Sequence, residues 1–155
     1  MPQLSESMMS LRISGEALIP DDITRLLGAP PTHSLKKGDV KYRSKDGRET
    51  IAKAGTWQLT AAIRTPEDTD GQVAEILGKL TDDMSVWTSL SQQFQVDLYC
   101  GWFMTDTNEG VSISPQTLAA LGARGIEFGV DIYAPLKKVT PSETDHASED
   151  GQAES

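Results

Sequence analysis

One stretch of the chain, residues 95–104, restricts the possible folds more than any other. Successive side chains of a strand point to opposite faces, and here both faces carry apolar groups. They are Val96, Leu98, Cys100, Trp102 and Met104 on one face, and Tyr99 and Phe103 on the other. Two-sided apolar character is typical of a strand inside a sheet. The pattern therefore predicts a central strand with a neighbour on each side.

The rest of the chain alternates between strand and helix patterns. Strands are predicted at residues 8–14, 56–63 and 126–133, and a hairpin is predicted around the turn Asp46-Gly47. Short helices are predicted at residues 19–28, in two pieces between residues 73 and 90, and after Ser114. This order predicts an α+β fold, an α/β sandwich. We expect a mixed, mainly antiparallel sheet of four to six strands, with short helices mostly on one face.

A tetrapeptide pattern occurs twice. Val96-Asp97-Leu98-Tyr99 returns as Val130-Asp131-Ile132-Tyr133, with a predicted helix between the copies. If the two strands are neighbours, the carboxylates and phenols gather on one face. On adjacent strands, Asp97 and Asp131 are expected to lie within about 5 Å, where their repulsion raises one pKa and where they suit a divalent ion. The candidate catalytic residues are therefore Asp97, Asp131, Tyr99 and Tyr133. In the alternative interpretation, these side chains bond to nearby polar groups, pack, or face water.

Basic residues are concentrated in the predicted hairpin segment, residues 36–53, which holds seven of the 14 lysines and arginines. The candidate anion-binding residues are Lys41, Arg43, Lys45 and Arg48, which lie beside Tyr42. Such a segment suits RNA or phosphate. Three acidic residues are interleaved with the basic ones, so a solvated hairpin of mixed charge is the alternative interpretation.

The net charge of −9 is unevenly distributed. From Val139 onward the chain has five acidic residues and no basic ones, and it lacks large apolar side chains. This composition predicts an acidic disordered tail over residues 137–155 and a single globular domain over residues 1–136. An acidic protein favours a basic partner over nucleic acid.

The small number of potential metal ligands and the hydropathy of the chain bear on metal sites, membrane association and cellular location. The chain has one cysteine and two distant histidines, His33 and His146, so we expect no zinc site, no other metal and no cofactor. No apolar run approaches the roughly 20 residues that span a bilayer, so we expect no membrane association. The first residues lack the basic and apolar regions of a signal peptide. Together with the single thiol, this predicts a cytoplasmic protein.

Several short motifs resemble those of one protein family. They are Ile23-Thr24 with Leu27-Gly28 and Pro31, then Lys37-Gly38-Asp39, then Gly55, Trp57 and Leu59, and finally Asp131-Ile132-Tyr133. In this order and spacing they resemble the bacterial family of unknown function DUF4279, over about residues 9–134. The resemblance implies bacterial origin and one compact domain. It implies no reaction and no catalytic residue.

The sequence is compatible with three functions. Because no catalytic constellation is evident, we expect a small bacterial cytoplasmic protein that is a non-enzymatic, protein-binding module. It would act like an immunity or inhibitor protein on a basic partner. An enzyme or metal-binding module using Asp97 and Asp131 is the second possibility. RNA or phosphate binding through the hairpin segment 36–53 is the third.

Overall fold

The structure is a computed structural model, and it describes residues 2–136. The predicted acidic tail lies outside the described residues. The elements are β1 (Glu6–Gly15), α1 (Pro20–Leu27), β2 (His33–Leu35), β3 (Val40–Arg43), β4 (Glu49–Ile51), β5 (Gly55–Thr60), α2 (Thr69–Gly78), α3 (Met84–Gln93), β6 (Gln95–Phe103), α4 (Pro115–Ala123) and β7 (Glu127–Tyr133). The predicted α+β class is confirmed.

Five strands form the main sheet in the order β2-β5-β1-β6-β7. Only the β6–β7 pair is parallel, so the sheet is mixed and mainly antiparallel, as predicted. The sequence placed residues 95–104 at the centre, but the central strand is β1. Strand β6 is still interior, because it lies between β1 and β7. The short strand β2 was not predicted.

The predicted hairpin is present as a separate two-stranded sheet, β3 and β4. Its turn contains Asp46-Gly47, and Gly47 has a φ of 86°. A glycine adopts this left-handed conformation without the steric cost that a Cβ imposes. Backbone hydrogen bonds from Gly38 N to Ala52 O and from Ala52 N to Asp39 O close the base of the hairpin, at 2.9 and 2.8 Å.

All four helices lie on one side of the main sheet, which we call the covered face. Alternate residues of β1, β5 and β6, such as Leu11, Trp57 and Leu98, enter a single hydrophobic cluster with apolar residues of α1, α2, α3 and α4. Trp57 and Trp87 are fully buried. The Trp57 Nε1–H donates to Thr24 Oγ1 at 3.1 Å, and the Trp87 Nε1–H donates to the Thr81 carbonyl at 2.8 Å. Both large apolar rings are thus buried while their indole N–H groups remain hydrogen-bonded.

Local sequence explains where the helices begin and end. Pro20 occupies the first turn of α1, and Gly28 ends it with a φ of 89°. Asp83 caps α3 by accepting from Ser85 N, and Ser114 caps α4 by accepting from Thr117 N. Each cap satisfies a backbone N–H that has no partner within the helix.

Candidate functional site

The opposite side of the main sheet, which we call the open face, carries mostly polar side chains. Strand register fixes its membership. Apart from glycines, its members are His33 and Leu35 (β2); Thr56, Gln58 and Thr60 (β5); Glu6, Met8, Ser10, Arg12 and Ser14 (β1); Gln95, Asp97, Tyr99 and Phe103 (β6); and Glu127, Asp131 and Tyr133 (β7). The helices cover the other side of the sheet, so these side chains are not packed under them.

Arg12, in the middle of the central strand, organises one part of the open face. Its Nε–H donates to Asp97 Oδ1 at 2.8 Å, and its Nη2–H donates to Asp97 Oδ2 at 3.1 Å. The guanidinium also lies 4.9 Å from the centroid of the Tyr99 ring. The hydrogen bond with Asp97 raises the pKa of Arg12, despite partial burial. The pair is therefore a fixed, bidentate ion pair that also contacts an aromatic ring.

Next to this pair lies a group that we call the tyrosine cluster, consisting of Tyr99, Phe103, Asp131 and Tyr133. The Tyr99 hydroxyl donates to Asp131 Oδ2 at 3.0 Å and lies 3.1 Å from the Tyr133 hydroxyl. The rings of Phe103 and Tyr133 stack, with centroids 4.6 Å apart and planes 7° apart. Contact with the Tyr133 hydroxyl, burial and the negative charge of Asp131 raise the pKa of Tyr99. Tyr99 is therefore a hydrogen-bond donor rather than a base.

The structure brings together three of the four residues predicted from the repeated tetrapeptide. The two copies do lie on neighbouring strands, and all four side chains share the open face. However, Asp97 is opposite Glu127, while Asp131 is opposite Gly101, four residues further along. At about 3.3 Å per residue, the two carboxylates are offset by ~13 Å along the strands. The expectation that they lie within about 5 Å is therefore wrong, and Asp97 pairs with Arg12 instead.

Sequence reasoning missed Arg12 and did not include Phe103 in the site. A partial signal for Arg12 was present, because its alternation with Leu11 and Ile13 places it on the polar face of the strand. Phe103 belongs to the open face because it is four residues beyond Tyr99 on the same strand. Neither residue could be placed beside its partners without knowing the register of the strands.

The four anion-binding candidates in the hairpin divide into two kinds. Arg43 pairs with Glu49 at 2.6 Å, and Arg48 pairs with Asp46 at 3.6 Å. Within residues 2–136, Lys41 and Lys45 form no ion pair. Lys41 lies at a groove between the hairpin and the β2–β5 edge of the open face, whereas Lys45 does not line it.

This groove, which we call the basic groove, has a volume of about 640 Å³. Its lining residues are His33, Leu35, Lys41, Thr50, Ile51, Ala52, Lys53, Ala54, Thr56 and Gln58. Lysine and histidine are the ionisable residue types among them, and no carboxylate is included. A volume of this size is within the range of small-ligand sites.

One half of the open face is acidic, and the segment that borders its other half is basic. On β1, β6 and β7, which we call the acidic half, four carboxylates accompany Arg12. They are Glu6, Asp97, Glu127 and Asp131. The hairpin segment 36–53, which borders the other half, carries seven basic and three acidic residues, a net charge of +4. The remaining described residues, 2–35 and 54–136, carry five basic and 15 acidic residues, a net charge of −10.

Other reactive groups of the described chain do not join this surface. Cys100 is buried in the core, and its burial raises the pKa of the thiol to about 11, so the thiol is protonated. Among residues 2–136, no three His, Cys, Asp or Glu side chains are grouped so as to hold a metal ion. Within the same residues, no helix combines the length and the apolar character needed to cross a membrane.

These features define a class of small α+β domain, in which one face of a mixed sheet is buried under helices and the other is open and polar. The family model described as "Domain of unknown function (DUF4279)" matches residues 5–135. The chain therefore belongs to this family, as its motifs had indicated. No curated protein and no solved structure matches the chain.

Proposed function

We propose that the protein is a non-enzymatic binding module, acting like an immunity or inhibitor protein, whose acidic half receives a basic surface of a partner protein. The observation that carries this proposal is the ordered set of arginine and tyrosine side chains on an open sheet face. Arginine, tyrosine and tryptophan are the residues most enriched at the energetic centres of protein interfaces.

The tyrosine cluster and the Arg12–Asp97 pair support recognition because their side chains are already held in place. Binding normally costs free energy for ordering flexible side chains, and this cost falls when they are fixed beforehand. Here Tyr99 is held by Asp131, and Tyr133 is stacked on Phe103. A partner would therefore meet a preformed surface.

Charge gives the proposed partner its chemistry. Asp97 is neutralised by Arg12, but Glu6, Glu127 and Asp131 form no ion pair within residues 2–136. The described residues outside the hairpin segment carry a net charge of −10. Complementary charge accelerates encounter with a basic surface and discriminates against acidic proteins.

The geometry favours binding over acid–base catalysis by Asp97 and Asp131. A pair of carboxylates shares a proton only when the two groups are close, and these are offset by ~13 Å along their strands. Asp97 is held by Arg12, and Asp131 accepts from Tyr99. Both carboxylates are thus engaged in orienting neighbours, which suits a recognition surface.

We place this activity in the bacterial cytoplasm as part of the same proposal. The family resemblance supports a bacterial source. Cys100 is the only cysteine in the sequence, so it has no internal disulfide partner there, and this suits a reducing compartment.

The proposal is tested by affinity purification from the organism that encodes the protein. Wild-type chain is compared with the double variant Glu127→Lys/Asp131→Lys and with Asp82→Lys, an exposed carboxylate between α2 and α3 on the helical side. We expect a stoichiometric basic protein to co-purify with the wild type and with Asp82→Lys, and to be lost with the double variant. Equal recovery with the double variant, or no stoichiometric partner, would refute the proposal.

A further inference from the structure

The basic groove is a concave surface that the proposed protein–protein contact does not use. It lies between the hairpin and the β2–β5 edge, whereas the acidic half comprises β1, β6 and β7. The hairpin supplies Lys41, Thr50 and Ile51, and the sheet supplies His33, Thr56 and Gln58. The groove therefore has walls from two separate sheets, which is a geometry that encloses a ligand from two sides.

Two lysines on this groove have no acidic partner among the described residues. Lys41 and Lys53 form no ion pair within residues 2–136, although Arg43, Arg48 and Lys37 of the same segment do. No carboxylate lines the groove. Two uncompensated ammonium groups beside one concave surface favour an anion with two negative charges.

The groove also has an apolar part, formed by Leu35, Ile51, Ala52 and Ala54. Ile51 is 45% exposed, so a ligand that covers it removes apolar surface from water. Neutral polar groups are present too, in Thr50, Thr56 and Gln58. A ligand that fits this lining has an anionic end, a few hydrogen-bonding groups and an apolar body.

The charge distribution distinguishes a small anion from a nucleic acid. A single strand that occupies several nucleotide sites must run beyond the hairpin segment, over described residues with a net charge of −10. Salt screening at physiological ionic strength limits electrostatic interactions to about 8 Å. A long polyanion that leaves the groove comes within this distance of the carboxylates outside the hairpin segment and is repelled by them. A small dianion stays entirely within the positive region.

We infer that the basic groove is a binding site for a small phosphomonoester that carries an apolar group, with Lys41 and Lys53 facing the phosphate. A phosphomonoester has a charge of about −1.5 to −2 at neutral pH, which matches two lysines. The groove volume of about 640 Å³ accommodates such a molecule. The inference does not depend on the proposed protein partner, because the two surfaces share no residue.

The test uses phenyl phosphate as the probe and follows amide and His33 imidazole resonances by NMR. Inorganic phosphate, benzamide and a short uridine RNA are titrated in parallel. The variant Lys41→Gln/Lys53→Gln removes the two groove lysines. Its matched control, Lys36→Gln/Lys45→Gln, removes the same charge from the same segment at residues that do not line the groove. Far-UV circular dichroism checks that both double variants remain folded.

We expect phenyl phosphate to shift the resonances of residues 50–58 and His33 in a saturable way. We also expect it to bind more tightly than inorganic phosphate or benzamide. In Lys41→Gln/Lys53→Gln the affinity falls about tenfold or more, because a hydrogen bond to a charged group is lost at each lysine. The control stays within about twofold of the wild type.

Three results would overturn the inference. The first is the absence of a saturable shift with phenyl phosphate up to about 10 mM, well above a millimolar Kd. The second is equal weakening in both double variants, since this indicates net charge rather than the groove. The third is tighter binding of the RNA than of phenyl phosphate, which assigns the segment to nucleic acid instead.

Discussion

The two faces of the main sheet are made by the same strands, yet their side chains are held in place by different forces. On the covered face, Leu11, Trp57 and Leu98 are buried against the helices and pack into one cluster. On the open face, Arg12, Tyr99 and Asp131 remain partly or largely in contact with solvent and are ordered by each other. The first arrangement stabilises the fold, and the second leaves an ordered polar surface in contact with solvent.

This difference indicates where substitutions act. Removing a covered side chain leaves a cavity and loses the transfer of apolar surface from water. Removing an open-face side chain costs little more than its hydrogen bonds, whose net contributions are small near solvent. We therefore expect stability to depend on the covered face and partner binding on the open face.

The largest expected effect tests the covered face. Trp57→Ala removes a fully buried indole from β5, so we expect the free energy of unfolding to fall by about 3–5 kcal/mol. Urea denaturation followed by far-UV circular dichroism measures it. The matched control is Gln58→Ala, which alters the next residue of the same strand on the open face and is expected to cost less than about 1 kcal/mol. Comparable losses in the two variants would break the comparison.

The next effect concerns Arg12, which pairs with Asp97 and contacts the Tyr99 ring on the open face. Arg12→Met leaves Asp97, whose side chain is 19% exposed, without its bidentate partner. We expect a loss of about 1–2 kcal/mol, since the carboxylate is partly desolvated. Arg12→Lys keeps the charge but not the paired donors, and its loss is expected to be smaller. Denaturant unfolding of both variants decides this, and a loss as large as that of Trp57→Ala would contradict it.

A smaller effect depends on pH. Glu75 accepts from Arg64 Nη2 at 2.6 Å and from Ala62 N at 2.9 Å, and the hydrogen bond with Arg64 lowers the pKa of Glu75 below its ordinary 4.5. The folded state thus binds this proton less well, so the carboxylate stabilises the fold above pH 4.5. That contribution is lost as the pH falls through the lowered pKa.

Glu75→Gln is therefore expected to cost about 0.5–1 kcal/mol at pH 7. Unfolding measurements from pH 7 down to pH 3 compare the variant with the wild type. The gap between the two proteins should close on the acid side of the ordinary pKa. A gap that stays constant over the whole range would show that the ionised carboxylate is not responsible.

The smallest effect concerns the tyrosine cluster. Tyr99→Phe keeps the ring and removes only the hydroxyl, so we expect a loss of about 0.5 kcal/mol at neutral pH. Because the pKa of Tyr99 is raised in the folded state, this contribution is present below the ordinary pKa of 10.0 and disappears only at higher pH. In the alkaline titration of tyrosinate absorbance, the variant should lack the component that ionises above the ordinary value.

Tyr42→Phe serves as the control for this prediction, since Tyr42 lies on the hairpin and is 63% exposed. It is expected to leave the stability unchanged within about 0.5 kcal/mol. If Tyr99→Phe costs more than about 2 kcal/mol, the open face contributes to the fold in the same way as the covered face.

Much of this fold follows from alternation and helix-end signals in the sequence. The spacing of Trp57 and Leu59, the proline at the start of α1 and the Asp46-Gly47 turn each correspond to an element that is present. Strand β2 was missed because its three residues, His33–Leu35, carry no alternating pattern and directly follow two prolines and a threonine. Its place in the sheet depends on pairing with β5, which is a tertiary contact.

The candidate site was predicted only in part, for a related reason. Alternation correctly assigned Asp97, Tyr99, Asp131 and Tyr133 to one face, because side-chain direction is local. The register between β6 and β7 is not a local property, because it depends on how the whole segment between the two strands folds. The tetrapeptides recur after 34 residues, whereas paired positions of the two strands are 30 residues apart. The repetition therefore suggested a carboxylate pair that the sheet does not form.

The central position of β1 has a consequence for biosynthesis. Strand β1 is synthesised before β5 and β6, the two strands with which it pairs, and the residue opposite Glu6 is Phe103. At about 5–20 residues per second, translation takes ~5–20 s to pass from one to the other. During this time Met9, Leu11 and Ile13 lack the strand β6 that borders them in the native sheet. The nascent chain thus carries for seconds an apolar strand without its β6 neighbour, and exposed apolar segments of this kind are what chaperones bind.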